Sequence, residues 1–489
     1  MSTEPTTEKA PRFGFFRNWL SLAGVVLAMS SLFCFLLLFL LDSFSHFSNP
    51  YIGLLTYLVA PSFLFLGTLM AVTGVLWRRW RGKTTGGLAP KVQIDLGRPR
   101  DRRILAVFLA GTVVFLLISA LLSYQTYHYT ESVQFCGQAC HGVMQPELVT
   151  YSHGPHARVA CVECHIGPGA EWFVKAKVSG TYQVYAVLFN KYPRPIPTPI
   201  KNLRPAQETC EHCHWPKKFV GNLDKTFNYY LADATNTPFS VRMIMKVGGG
   251  DPTHGPVGGI HWHMSVGNKV EYLATDAGRQ KIPWVRITDS QGVVTEYHTR
   301  NFTNAVDETK IRTVDCMDCH NRPAHTYQSP NDAVNLAISI GAIDRGLPWI
   351  KSNAVFALTK KYTNETQALQ SIATLLSDRY RDDARIRPAI ASVQQIYTNN
   401  FFPEMNASWD KYPNNIGHKD WLGCFRCHDG QHKSSDGRVI TASDCNACHT
   451  ILAQGSGAEL NLLTPNGQKF KHPGDEVDGA CNDCHTGGL

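Results

Sequence analysis

The chain has 489 residues, 44% hydrophobic and 18% charged, with 39 Gly, 27 Pro, 15 Cys, 20 His and a formal charge of +8. That composition excludes a disordered chain, a collagen and a small disulfide-stapled module, and the length predicts roughly two to four domains. The charge is unevenly placed: residues 1–18 carry +1, residues 78–103 carry +7 and everything after residue 123 carries +1, so that last part lacks the basic face a nucleic acid would need.

Three apolar stretches without a charged side chain come first, at about residues 19–41, 51–77 and 104–123. At 1.5 Å per helical residue, about 20 residues cross a hydrocarbon core of ~30 Å. The sequence therefore predicts a membrane anchor, residues 1–123, with three transmembrane helices. The first stretch is far longer than the ~7 to 15 apolar residues of a signal peptide. The loop from Asp42 to Pro50 has no Lys or Arg, whereas the loop between the second and third stretches holds nine. The positive-inside rule then puts the N-terminus in the cytoplasm and residue 124 onward on the opposite side.

Fourteen of the cysteines form seven pairs, each closed by a histidine: Cys136/Cys140-His141, Cys161/Cys164-His165, Cys210/Cys213-His214, Cys316/Cys319-His320, Cys424/Cys427-His428, Cys445/Cys448-His449 and Cys481/Cys484-His485. Disulfides and zinc sites also use paired cysteines, but neither accounts for a histidine after every second one. The pattern is that of c-type haem attachment, in which two thioethers fix the porphyrin and the adjacent histidine reaches the iron. Seven covalently bound haems follow. The first pair has three intervening residues rather than two, and Met144 stands close behind it as a replacement for, or partner to, His141.

Electron-transfer haems are commonly six-coordinate, so second axial ligands are expected among His153, His156, His254, His261, His263, His325, His418, His432 and His472. Six of these nine are expected to serve. Alternation would set His261 and His263 on one face of a strand. His46, His212 and His298 read as surface residues, and His128 as either a ligand or an interfacial side chain.

Motif spacing divides the rest into residues 124–220 with haems 1–3, a β-rich insertion at 221–315, haem 4 with a helical linker at 316–400, and a three-haem region at 401–489. Val270 to Thr275, Lys281 to Thr288 and Val293 to Thr299 read as a meander. Ala333, Leu336, Ala337 and Ile340 have helical spacing, and a second helical run, Thr366 to Arg379, is opened by Asn364. The fold expected is three N-terminal transmembrane helices plus an extracytoplasmic multihaem cytochrome c region, mainly helix and loop with a small β insertion.

The stretches Cys140-His141-Gly-Val-Met144, Tyr151-Ser-His153 to Cys161-Val-Glu-Cys164-His165, Lys175-Ala-Lys177 and Cys210-Glu-His-Cys213-His214-Trp-Pro resemble the NapC/NirT/NrfH family of membrane-anchored quinol dehydrogenases. With seven motifs the chain is similar to the larger members, the inner-membrane cytochromes that feed extracellular respiration in metal-reducing bacteria. The resemblance implies an inner-membrane protein with its haem region in the periplasm. It also implies oxidation of menaquinol from the membrane pool beside the first haem, and transfer to periplasmic c-type cytochromes in anaerobic respiration. It makes Met144 a ligand of the first haem and Lys175 or Lys177 a quinol-binding residue. The acidic group that smaller members place near the first haem has no counterpart after Lys177; Gln183 is the nearest polar candidate. An electron relay without its own quinol site, and a terminal reductase with an open haem, are the competing readings.

Overall fold

The computed structural model describes residues 19–45, 59–85, 96–139, 141–167, 170–200, 203–215, 219–249, 258–265, 267–381, 383–442, 444–474, 477 and 479–488. The chain divides into two compact units, Met1–Ser132 with Ile166–Ser179 and Val133–His165 with Gly180–Leu489.

In the first unit the apolar stretches fold as helices α1 (Trp19–Ser45), α2 (Ala60–Thr85) and α3 (Pro99–Thr130). Two of them, over Trp19–Leu36 and Ala60–Trp77, are long and apolar enough to cross a membrane; residues 51–58 of the second stretch lie outside the described residues. Helices α1 and α2 pack through small side chains, Gly24 on Ala71, Gly67 on Ala28 and Gly74 on Ser21. A Cβ at Gly24 or Gly67 would run into the other helix's backbone. In lipid, where apolar side chains gain nothing by leaving their surroundings, such close approach is what holds helices together. The Thr68 and Thr73 hydroxyls donate back to the Leu64 and Leu69 carbonyls, both at 2.8 Å, which satisfies them without water.

The second unit is mixed. It contains helices α4 (His141–Ser152) and α5 (Cys161–His165), and also the second half of α6 (Ala170–Leu188), which starts in the first unit; α7 (Ala206–Thr209) and α8 (Cys316–Cys319) follow. Strands β1 (Leu223–Tyr230) and β2 (Pro238–Met245) form an antiparallel hairpin, and β3 (Lys269–Leu273), β4 (Trp284–Thr288) and β5 (Val294–His298) form the expected meander, with Lys269 opposite Thr288 and Trp284 opposite His298. The β structure is not confined to the insertion. Strand β6 (Arg312–Thr313) and β7 (Lys433–Ser434) flank the meander in a five-stranded sheet ordered β6-β3-β4-β5-β7, and β8 (His449–Gly455) pairs with β2. Strands from the last haem region thus complete both sheets, an arrangement with long-range pairing that local periodicity does not carry.

Helices α9 (Pro330–Ser339), α10 (Ile350–Thr359), α11 (Glu365–Tyr380) and α12 (Ile386–Asn400) enclose a side-chain core that includes Val334, Ile343, Leu347, Ile350, Ile372 and Val393. Asn364 caps α11 by accepting from the Gln367 amide at 2.8 Å, as its side-chain chemistry favours. The last short helix, α13, is Cys481–Cys484.

Candidate haem sites

Each standard motif folds as one tight turn, which brings its two cysteines and its histidine together. The amide of the histidine donates to the carbonyl of the first cysteine in four of them, from His214 at 2.7 Å, His320 at 2.8 Å, His428 at 3.0 Å and His485 at 2.7 Å. The second motif is helix α5 itself, and the sixth is a 3₁₀ turn, Cys445–Ala447, that runs into β8. The first motif differs: Phe135–Ala139 is π-helical, a widened turn that absorbs the third intervening residue. Cys140 and the side chain of His141 lie outside the described residues. Met144 is half-buried on α4, one turn after His141.

The structure brings a second histidine to each of the six standard motifs. Ring centroids lie 6.3 Å apart for His165 and His325, 6.0 Å for His214 and His156, 6.4 Å for His320 and His261, 5.9 Å for His428 and His263, 6.3 Å for His449 and His418, and 5.9 Å for His485 and His472. Two imidazoles on opposite sides of one metal, each through a metal–nitrogen bond of ~2 Å with its ring centre about 1 Å further out, sit about 6 Å apart. The spacing therefore matches an iron between the rings.

The polar atoms fit the same reading. Nδ1 of His156, His261, His263 and His325 lies 2.8 to 3.0 Å from the backbone oxygens of Pro323, Val247, Ile260 and Glu147, which fixes the tautomer and leaves Nε2 for a metal. Nδ1 of His418, His449 and His472 is buried with no hydrogen-bond partner. Burial pushes His165, His320, His325, His418, His428, His449 and His485 below the ordinary histidine range. That favours the neutral ring a metal requires. Among the described residues no three or more His, Cys, Asp and Glu converge as a metal site of their own, and the described cysteines are free thiols. Paired histidines beside paired cysteines suit a group that brings its own four equatorial donors.

Of the other three histidines expected as second ligands, the two described ones stand apart from these pairs. His432 is fully buried, with Nδ1 2.8 Å from Asp429 Oδ1 and Nε2 2.8 Å from the Ile282 carbonyl, so both nitrogens are engaged. His153 is exposed, its Nδ1 2.8 Å from the Val149 carbonyl. His254 lies outside the described residues. The strand expected for His261 and His263 is instead a 3₁₀ turn, Ile260–Met264. Its entry, Gly259 at φ 82°, sits so close to the Lys246 carbonyl that a Cβ would collide. The tight turn sends the two rings to different motifs, those of His320 and His428.

Successive motifs are neighbours in space. The Cys161 thiol lies beside that of Cys136, and the Cys316 thiol beside that of Cys210. Cys164 lies close enough to Cys213 to feel its charge, as do Cys319 to Cys424, Cys448 to Cys424 and Cys481 to Cys445. Two charged residues inside the cysteine loops, missed at the sequence level, fasten the fourth motif to the fifth. Asp318 is buried and accepts from the Tyr272 hydroxyl at 2.5 Å and Arg279 Nη1 at 3.2 Å. Buried Arg426 donates to the Asp318 carbonyl at 2.6 Å and the Arg279 carbonyl at 3.0 Å. Charged residues between haem-binding cysteines were the available signal.

Glu147, on α4, accepts from Arg322 Nη2 at 3.3 Å and the Tyr327 hydroxyl at 3.3 Å, and its carboxylate lies 3.1 Å from His325 Nδ1. Helix α6 carries the residues expected at a quinol. Lys175 is exposed and stacks over Trp172 at 4.6 Å, Gln183 is exposed two turns on, and the Lys177 side chain lies outside the described residues.

Comparison with known proteins is decisive about kinship. Residues 98–195 match the NapC/NirT cytochrome c family, N-terminal region. The chain is 40% identical over 96% of its length to the cytochrome c-type protein ImcH of Geobacter sulfurreducens, and covers 96% of that protein. The chain belongs to the NapC/NirT cytochrome c family. It is a membrane-anchored, multihaem c-type cytochrome of electron transport. No solved structure matches it.

Proposed function

We propose that this NapC/NirT cytochrome is a heptahaem quinol dehydrogenase of the inner membrane. It oxidises menaquinol at the periplasmic face and delivers electrons to periplasmic c-type cytochromes. The observation that carries the reading is the set of six histidine pairs at 5.9 to 6.4 Å, strung along neighbouring motifs, together with family membership. Helix α3 is the third span, which leaves the haem region outside the cytoplasm.

When bound, the haems supply one-electron oxidation and reduction. The chain's own residues do the rest. His156, His261, His263, His325, His418 and His472 would hold the haem irons together with His214, His320, His428, His165, His449 and His485 respectively. Met144 and His141 ligate at the first motif, whose extra residue and π-helical turn set it apart. A paired ligand set excludes exogenous ligands from six of the seven sites, which suits transfer rather than substrate reduction. Quinol oxidation also releases two protons. Lys175, Lys177 and Gln183 bind the quinol head, and the exposed ring of His153 passes protons on to solvent.

The test is stopped-flow haem absorbance on the detergent-purified holoprotein mixed with a reduced menaquinone analogue, with and without a quinol-site inhibitor. Fast, inhibitor-sensitive reduction is expected, slowed in Lys175→Met through a raised half-saturating quinol concentration. Normal reduction by dithionite with none by quinol would leave a relay fed by another protein.

A further inference from the structure

Helix α6 bears an apolar stripe that the haem sites do not use. Taking about 100° per residue, Val174, Val178, Tyr182, Tyr185, Leu188 and Phe189 fall within a sector of about 120°. Phe189 continues the helix through its amide bond to the Tyr185 carbonyl at 3.1 Å. All six side chains are between 44% and 74% exposed. Along the stripe the aromatic rings follow one another in tilted contact, Tyr182 with Tyr185 at 6.2 Å and Tyr185 with Phe189 at 4.8 Å. Other positions on the helix are spoken for: Ala186 is buried, and Val187 packs into the cluster that contains Val143 of α4. The stripe thus lies away from the side of the helix that packs towards Val143.

We propose that α6 lies in the plane of the membrane with this stripe sunk into the outer-leaflet headgroup and acyl boundary. Two observations favour lipid over a protein partner. Residues Ile166–Ser179, the first half of the helix with Val174 and Val178, form one compact unit with the two membrane-crossing helices. The composition is that of an interfacial helix: aliphatic and aromatic residues on the stripe, with Trp172 under the ammonium of Lys175 beside it. A transient docking site for a soluble cytochrome would instead be polar and small. The inference rests on membrane anchoring, not on the quinol reading.

Its test uses the full-length holoprotein in phosphatidylethanolamine/phosphatidylglycerol nanodiscs, in a Cys34→Ser background, because Cys34 is the one cysteine outside the seven motifs. Val178→Cys, Tyr185→Cys and, as control, exposed Lys360→Cys are each labelled with a benzophenone maleimide and irradiated. Intact mass then reads the adducts, and haem content verifies maturation. Phospholipid adducts at positions 178 and 185, at least tenfold above position 360, are expected. Adducts no more frequent than at the control would overturn the proposal, as would crosslinks to a second copy of the chain. Neither outcome touches quinol oxidation, which this assay does not measure.

Discussion

At the scale of single residues, the environment of each imidazole sets its donor strength. Among the six second histidines of the pairs, His325 is the one with a carboxylate, that of Glu147, at its ring nitrogen as well as a backbone carbonyl. A carboxylate partner makes a ligating imidazole more basic and favours the oxidised metal. Glu147→Gln is therefore expected to raise the reduction potential of the second haem; a differential of about 1.4 kcal/mol corresponds to roughly 59 mV for one electron. A potentiometric titration that leaves all seven potentials in place would refute this. Ring orientation makes a separate claim. The His261 and His320 planes are 5° apart, whereas those of His263 and His428 are 81° apart. Ferric haems with near-parallel and near-perpendicular axial planes give distinct low-spin EPR signals. Both classes are expected in the oxidised protein, and His263→Met should remove a signal of the perpendicular class. Lys351, away from the haem ligands, carries a pH dependence. It is 2% exposed, donates to the Asn331 carbonyl at 2.8 Å and Asn335 Oδ1 at 2.6 Å, and burial pushes it from 10.5 down to about 7. Between pH 7 and 10.5 the unfolded chain holds a proton that the folded chain has released. The unfolded state then binds more protons, so stability rises with pH across that window, by at most ~1.4 kcal/mol per unit. Thermal melts should show the wild type gaining on Lys351→Met from pH 7 to 9; parallel profiles would count against it.

At the scale of elements, close approach explains both the anchor and the turn at Ile260–Met264 whose histidines meet the fourth and fifth motifs. Gly24→Leu or Gly67→Leu would drive a side chain into the opposing backbone, an overpacking cost of typically ~1 to 3 kcal/mol. Melts in lipid should show the loss, and Gly111→Leu, at a glycine with open space around it, should not. What the sequence made legible follows from how local each signal is. Charge-free runs marked α1 and α2, alternation marked β3 to β5, and the asparagine before Glu365 marked the start of α11, because each depends on neighbours a few residues away. The 3₁₀ turn at Ile260–Met264 was hidden: His-Trp-His alternates like a strand, and the fact that decides otherwise is the contact of Gly259 with the Lys246 carbonyl. Likewise, β7 and β8 are short or bounded by a haem motif, and they exist only because β5 and β2 offer open edges. For the site, attachment was readable because the cysteines and histidine are adjacent in sequence. The partners were readable only as a set of candidates, since His156 meets His214 and His325 meets His165 across long loops that spacing cannot resolve.

At the scale of the whole chain, the order of motifs in sequence is also their order as neighbours. Three of the six second histidines come from outside the segment that holds their motif, namely His325, His261 and His263. His325, just after the fourth motif, faces the second motif's His165, and His156, just before the second motif, faces the third motif's His214. On the proposed ligand assignment, such crossed pairing would tie distant parts of the chain to one another through metal bonds, which a relay needs. On that reading the fourth site lies between the first three and the last three, since Cys210 is near its cysteines on one side and Cys424 on the other. His261→Met exchanges an imidazole for a thioether there, which raises the potential of that site without touching haem attachment. An electron should then rest at the fourth position. If quinol feeds the chain as proposed, mixing is expected to split into a fast absorbance change from the haems up to the fourth and a slow one from those beyond it, with continuous filling expected of the wild type. Reduction of all seven in a single phase would mean that electrons bypass the fourth motif, and that the neighbours seen in the fold are not the route they take.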